Sequence, residues 1–277
     1  MSLVAVLVAL ALGLLLGVTI GDKNLVSNFQ GNLERGLRHD VNQANSDRDA
    51  SNKQLEQQNE FISAAYPQMV ANRLFAQRIA FIGTAGVSRE NLKGVTSAVE
   101  PAGAKIAYAG ELLAKPQYQA LAVAIGHPEL IDSSKPTSQQ TDQLGRAVGR
   151  RLARGRSRDV MRRFVFSRLS GKISRVPLFT FAREEPANPD SNDSKLLDGF
   201  ERGVAAGISQ QAARVVGVET SQTNPSSIKW YNSLGFSTVD DIQSYPGYYA
   251  LVLVLNGAKG DYGYKDTADA VIPPVAP

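Results

Sequence analysis

Between Met1 and Gly21 there is no charged side chain, only a run rich in Leu, Val, Ala and Gly that ends at Asp22. A helix rising about 1.5 Å per residue needs about 20 such residues to cross the hydrocarbon core of a bilayer. A secretory signal would open on Lys or Arg and close on a small-x-small cleavage site, and this segment offers neither. The sequence therefore predicts a retained transmembrane helix over residues 1–21. Gly13, Gly17 and Gly21 recur every fourth residue, so they share one helix face, where small residues let two spans approach closely. Asp22 and Lys23 flank the run with opposite charges, which leaves the positive-inside rule without purchase.

Residues 22–73 are polar, dominated by Asn, Gln, Asp and Arg, with no proline before Pro67. This composition predicts a helical stalk. Leu37, Val41, Ala44, Leu55, Ile62 and Met69 fall on a seven-residue a/d pattern, and Arg48, Ser51 and Gln58 interrupt it. The seam is too weak for a tight autonomous coiled coil. Two readings stay open: a coiled-coil-like stalk paired with help from the span, or a lone solvated helix. On the first, Gly13, Gly17, Gly21, Leu37, Val41, Leu55 and Ile62 are the self-association candidates and the chain is a homodimer.

The expected globular body is 74–265, followed by a tail, 266–277, disordered by composition. "RIAFIG" (78–83), "AKIAYAG" (104–110), "SRVPLFTFA" (174–182), "ARVVGVET" (213–220) and "YYALVLVL" (248–255) read as strands. Helical patterns alternate with them, most clearly over 194–213. Continuous apolar strands separated by helices predict an α/β domain, Rossmann-like or flavodoxin-like, with a mainly parallel sheet covered on both faces. Residues 145–175 read as an arginine-rich insert within it. There Arg150, Arg151, Arg154, Arg158, Arg162 and Arg163 are candidates for contact with an anionic surface.

The chemistry available is narrow. The 277 residues include no cysteine, which excludes disulfides, thiolate metal sites and thiol nucleophiles. His39 and His127 are the only histidines, and neither has a second ligand nearby in sequence. The first strand–helix turn, "GTAG", lacks the third glycine of G-x-G-x-x-G and the Lys-Ser/Thr of a P-loop. "NPSSIKWYNSLGF" (224–236) places Asn224, Ile228, Tyr231, Gly235 and Phe236 at the spacing of the closing motif of GNAT-type acetyltransferases, with Tyr231 as acid toward coenzyme A. The nearest pyrophosphate-loop match, "RAVGRR" from Arg146, lies too far upstream and lacks its last small residue. The net charge of +4 is modest, and few aromatics interleave with the arginines, so nucleic acid is not an expected partner. No catalytic residue, cofactor or metal ligand is assigned.

The two ends carry a resemblance. "GFSTVDDIQSYPGYYALVLVLNGAKGDYGYKDTADAVIPP" (235–274), with its Ser-Thr-Val-Asp-Asp turn and Gly260-Asp261-Tyr262-Gly263 segment, resembles the actinobacterial copper-transport protein B (MctB) family, and so do the apolar run and polar helix at the start. The resemblance implies a single N-terminal anchor in the cytoplasmic membrane, a coiled-coil stalk, an extracytoplasmic α/β domain and no enzyme activity. Family members are linked to copper homeostasis, as proposed efflux channels. Corynebacterial relatives, the SteB proteins, are linked to cell separation, where the stalk helps activate a peptidoglycan hydrolase with a membrane partner. A membrane-anchored interaction scaffold uses every feature of the chain. A copper efflux component and, more remotely, a GNAT-like acyltransferase are the alternatives.

Overall fold

Lys23–Val70 form one helix of 48 residues, α1, in the computed structural model, which describes residues 9, 10, 13, 23–131 and 135–274 and, within α1, side chains from residue 38 onward. The chain divides into two compact units, Met1–Phe61 and Ile62–Pro277. In the first unit Val41 and Leu55 are 57% and 56% exposed. Most of the expected span lies outside the described residues, as do Gly17, Gly21 and the Leu37 side chain; Gly13 is described and exposed. Among the described residues, no helix is long and apolar enough to cross a membrane.

The second unit begins with the last turns of α1. There follow β1 (Arg78–Gly83), α2 (Arg89–Val99), β2 (Lys105–Leu112), α3 (Tyr118–Ala124), α4 (Ser138–Ala153), α5 (Arg158–Phe164), β3 (Phe166–Gly171) and β4 (Leu178–Ala182). The chain continues through α6 (Asn192–Ser209), β5 (Arg214–Val218), α7 (Ile228–Asn232), β6 (Ser237–Val239), α8 (Tyr245–Asn256) and β7 (Asp261–Tyr262). The sheet order is β3-β2-β1-β4-β5-β6-β7, and every neighbouring pair is parallel except β2 with β3. Setting aside the antiparallel edge strand β3, this is the order of flavodoxin-like doubly wound folds, with its switch point between β1 and β4. The expected α/β class, with a mainly parallel sheet, is what forms.

Both faces of the sheet are covered, which is why its strands read as continuous apolar runs. Ile79 and Phe81 enter one core while Ala80 and Ile82 enter the other, and β4 splits Leu178 and Ala182 from Phe179 and Phe181 in the same way. The end of α1, α2 and α8 cover the first face; Tyr66 there donates a hydrogen bond to the Ala98 carbonyl at 2.8 Å. Helices α3 to α7 cover the second. On that side α4 and α6 pack backbone against backbone, with Gly145 and Gly149 on one helix and Gly199, Gly203 and Gly207 on the other.

"YYALVLVL" is not a strand. It lies inside α8, where Pro246 occupies the first turn, which needs no donor, and Ser244 Oγ caps the helix by accepting from the Gly247 N–H at 3.3 Å. Ala250, Leu251, Val252, Val254 and Leu255 are all buried. A helix buried nearly all round has no polar face, so its sequence period cannot distinguish it from a buried strand. The arginine-rich stretch forms the second half of α4, all of α5 and strand β3, and its Val148, Leu152, Met161, Val165 and Ile173 are core residues.

Candidate functional site

In a doubly wound sheet the carboxyl ends of the parallel strands share one rim, where ligands bind. Here four of the parallel strands end on a polar group: Thr84 after β1, Arg183 and Glu184 after β4, Glu219 after β5, Asp240 after β6. Glu184 donates its backbone N–H to Thr84 Oγ1 at 2.9 Å, which ties the two strands at the switch point. Burial raises the pKa of the Glu184 carboxyl, and the nearby Glu219 raises it further.

Two constellations sit on this rim. In the first, Asp240 is buried and accepts the backbone N–H groups of Tyr264 at 2.7 Å and Lys265 at 3.0 Å. The Lys265 ammonium then reaches back to the buried Glu219 carboxylate and to the Thr223 carbonyl at 2.8 Å. Glu219 also accepts from Ser226 Oγ at 2.7 Å and from the Ser227 N–H at 2.8 Å. Ser-Thr-Val of the first motif is strand β6, which pairs in parallel with Asp-Tyr of the Gly-Asp-Tyr-Gly segment, so the two motifs are halves of one clasp.

The second constellation surrounds a cavity of about 630 Å³ bordered by α4, α6, the loop after β4 and the start of α7. Arg183 forms part of its wall at 7% exposure, donating to Asp198 Oδ1 at 3.0 Å and lying 5.0 Å over the Trp230 ring. Trp230 Nε1 donates to the same Asp198 oxygen at 2.8 Å, and Arg202 lies 5.3 Å over the same ring. Behind Arg183, Glu201 is buried; its Oε2 lies 3.4 Å from Arg183 Nε, within ion-pair range but off line for a hydrogen bond. Burial pushes the Glu201 carboxyl up to about 8 and Asp198 adds to the rise, which the Arg183 charge only partly offsets.

That shift has a consequence for stability. A carboxyl whose folded pKa exceeds its ordinary 4.5 binds a proton that the unfolded chain has already released, so stability falls as pH rises from about 4.5 to about 8. The slope from this one group is at most about 1.4 kcal/mol per pH unit. Glu201→Gln is expected to flatten it. Urea unfolding across that range checks this; equal slopes in both proteins would show that Glu201 does not titrate there.

The residues singled out from sequence do not meet in one place. Arg150, Arg151 and Arg154 close α4, bonded to Gln210, to the Ile125 carbonyl and to Gln211 respectively. Arg158, Arg162 and Arg163 are exposed on α5, with Arg163 over the Phe164 ring. Val41 and Leu55 belong to the first unit, while Ile62, half-buried, opens the second. Tyr231 is fully buried with its hydroxyl donating to the Val218 carbonyl, and burial pushes its pKa well up, which ill suits an acid for a substrate thiolate. At the "GTAG" turn the Gly86 N–H faces Glu111 Oε1 at 3.4 Å, a carboxylate where a phosphate would sit. His127 pairs with Glu129, and His39 is exposed on α1. Among the described residues, no group of three or more His, Asp or Glu is placed to hold a metal ion.

The fold and this rim define a class: a flavodoxin-like α/β body whose terminal segment is clasped back onto its strand ends. Within that class, the chain belongs to the MctB family, whose model, described as copper transport outer membrane protein, matches residues 1–273. A comparison with curated proteins finds no match.

Proposed function

We propose that this protein is a non-enzymatic, single-pass envelope protein of copper homeostasis that acts as an interaction scaffold, held to the cytoplasmic membrane by residues 1–21 with its body outside. The observation that carries this reading is the exposed apolar line on α1: Val41 and Leu55, two heptads apart, are both more than half exposed on the strongly polar stretch between residues 38 and 60. A second copy of α1 in register covers them, with the glycine face of the span assisting. The paired helix then presents a surface to an envelope partner, such as a peptidoglycan hydrolase in cell separation. Arg158, Arg162 and Arg163 offer a further contact for an anionic surface.

The chain has no cysteine, so single-cysteine variants are clean probes. Val41→Cys and Leu55→Cys in the membrane-bound full chain are expected to form disulfide dimers on mild oxidation, and Ser46→Cys, on the opposite face, is not. Monomer at both seam positions would overturn the pairing. The family description favours a second reading, a component of a copper efflux channel. Saturable copper uptake by the purified full chain, lost on replacing His39 or His127, would favour it.

A further inference from the structure

The cavity bordered by α4 and α6 has no part in the scaffold reading, and its lining is selective. We propose that it is a binding site for a small polyhydroxylated anion, an acidic sugar or a sugar phosphate. The volume, about 630 Å³, lies within the roughly 300–1,000 Å³ of small-molecule sites. The charge balance points to an anion. Four cations line the cavity: Arg183, Lys195, Arg202 and Lys229. Of the three lining acids, Asp142 is committed to Arg146 at 2.6 Å and Asp198 is shared between Arg183 and Arg202. The third, Glu185, stands exposed at the edge. Neither Lys195 nor Lys229 makes an ion pair among the described residues, and both are exposed at the rim.

The floor is built rather than incidental. Arg183 is more than nine-tenths buried, with its guanidinium held by Asp198 and laid over the Trp230 ring. Glu201 behind it, mostly protonated near neutral pH, does not cancel its charge. The first turn of α4, with Ser138 and Gln139 on the lining, holds no acid, so its partial positive charge adds to the same field. Ser138, Gln139 and Ser194 supply neutral partners for hydroxyl groups. An apolar ligand would leave both lysines without a counter-charge, and a neutral sugar would leave the surplus unused.

Trp230 is the single tryptophan in the chain, so its fluorescence reports on this cavity alone. The full-length protein in detergent is titrated with glucuronate, glucose 6-phosphate and glucose, by fluorescence and by calorimetry. A saturable response to at least one of the two anions is expected, with glucose weaker by roughly tenfold or more; which anion responds separates a carboxylate from a phosphate ligand. Lys195→Ala and Lys229→Ala, both at exposed rim positions, are each expected to weaken that binding by roughly tenfold. No saturable signal from either anion, equal binding of glucose, or unchanged affinity in both lysine variants would overturn the proposal. None of these results bears on crosslinking through α1, so the two readings fail separately.

Discussion

Gly203→Leu is expected to unfold the second unit at ordinary temperature. A Cβ at Gly203 would lie 2.1 Å from the Asp142 carbonyl oxygen, and no rotamer relieves a contact made by the first side-chain atom with backbone. The same holds along the whole seam. A Cβ at Gly149 would meet the Val204 carbonyl oxygen at 2.2 Å, at Gly145 the Phe200 oxygen at 2.3 Å, and at Gly207 the Arg146 oxygen at 2.3 Å. The helices cannot separate locally, because Leu144, Val148, Phe200 and Val204 on their inner faces are packed into the core. Overpacking of this kind, spread over two helices, costs upward of about 4 kcal/mol, a large share of a domain's stability. Ser209→Leu, on the exposed last residue of α6, is the control and is expected to change stability by less than about 0.5 kcal/mol. Thermal unfolding followed by circular dichroism compares them. A Gly203→Leu protein melting within a few degrees of the parent would show that α4 and α6 do not need this approach.

That seam has a signature in the sequence. Gly145 and Gly149, and Gly199, Gly203 and Gly207, have the same four-residue spacing as Gly13, Gly17 and Gly21. Within a packed α/β core it means the same thing, two helix backbones in contact. The strands β1, β2, β4 and β5 were legible because burial on both faces leaves an apolar run bounded by polar residues. β6 and β7, of three and two residues, are too short and too polar to carry such a pattern. The apolar run over 248–255 carried the pattern and was a helix. Of the rim, Arg183 and Glu219 could have been found, since each is the first polar residue after a legible strand, whereas Asp240 follows β6. The grouping of Glu201, Asp198 and Trp230 behind and beside Arg183 could not, because they come from α6 and α7 and meet only in the packed fold.

Lys265→Met is the sharpest test of the clasp at the strand ends. Glu219 is buried, and its carboxylate is satisfied by three donors: Ser226 Oγ, the Ser227 N–H and the Lys265 ammonium. Removing the ammonium while keeping its aliphatic stem leaves a buried charge without its counter-ion, which costs about 3–5 kcal/mol. The loop itself stays attached in this variant, because Asp240 still accepts from the backbone of residues 264 and 265. The loss therefore reports the charge and not the loop. Glu219→Gln added to Lys265→Met is expected to recover much of the stability, since a neutral amide oxygen still accepts from Ser227 and no charge is stranded. Urea midpoints of the two single variants and the double variant close the cycle. Equal midpoints for Lys265→Met with and without Glu219→Gln would mean that the ammonium does not hold Glu219, and that the clasp rests on the backbone bonds to Asp240 and on the pairing of β6 with β7.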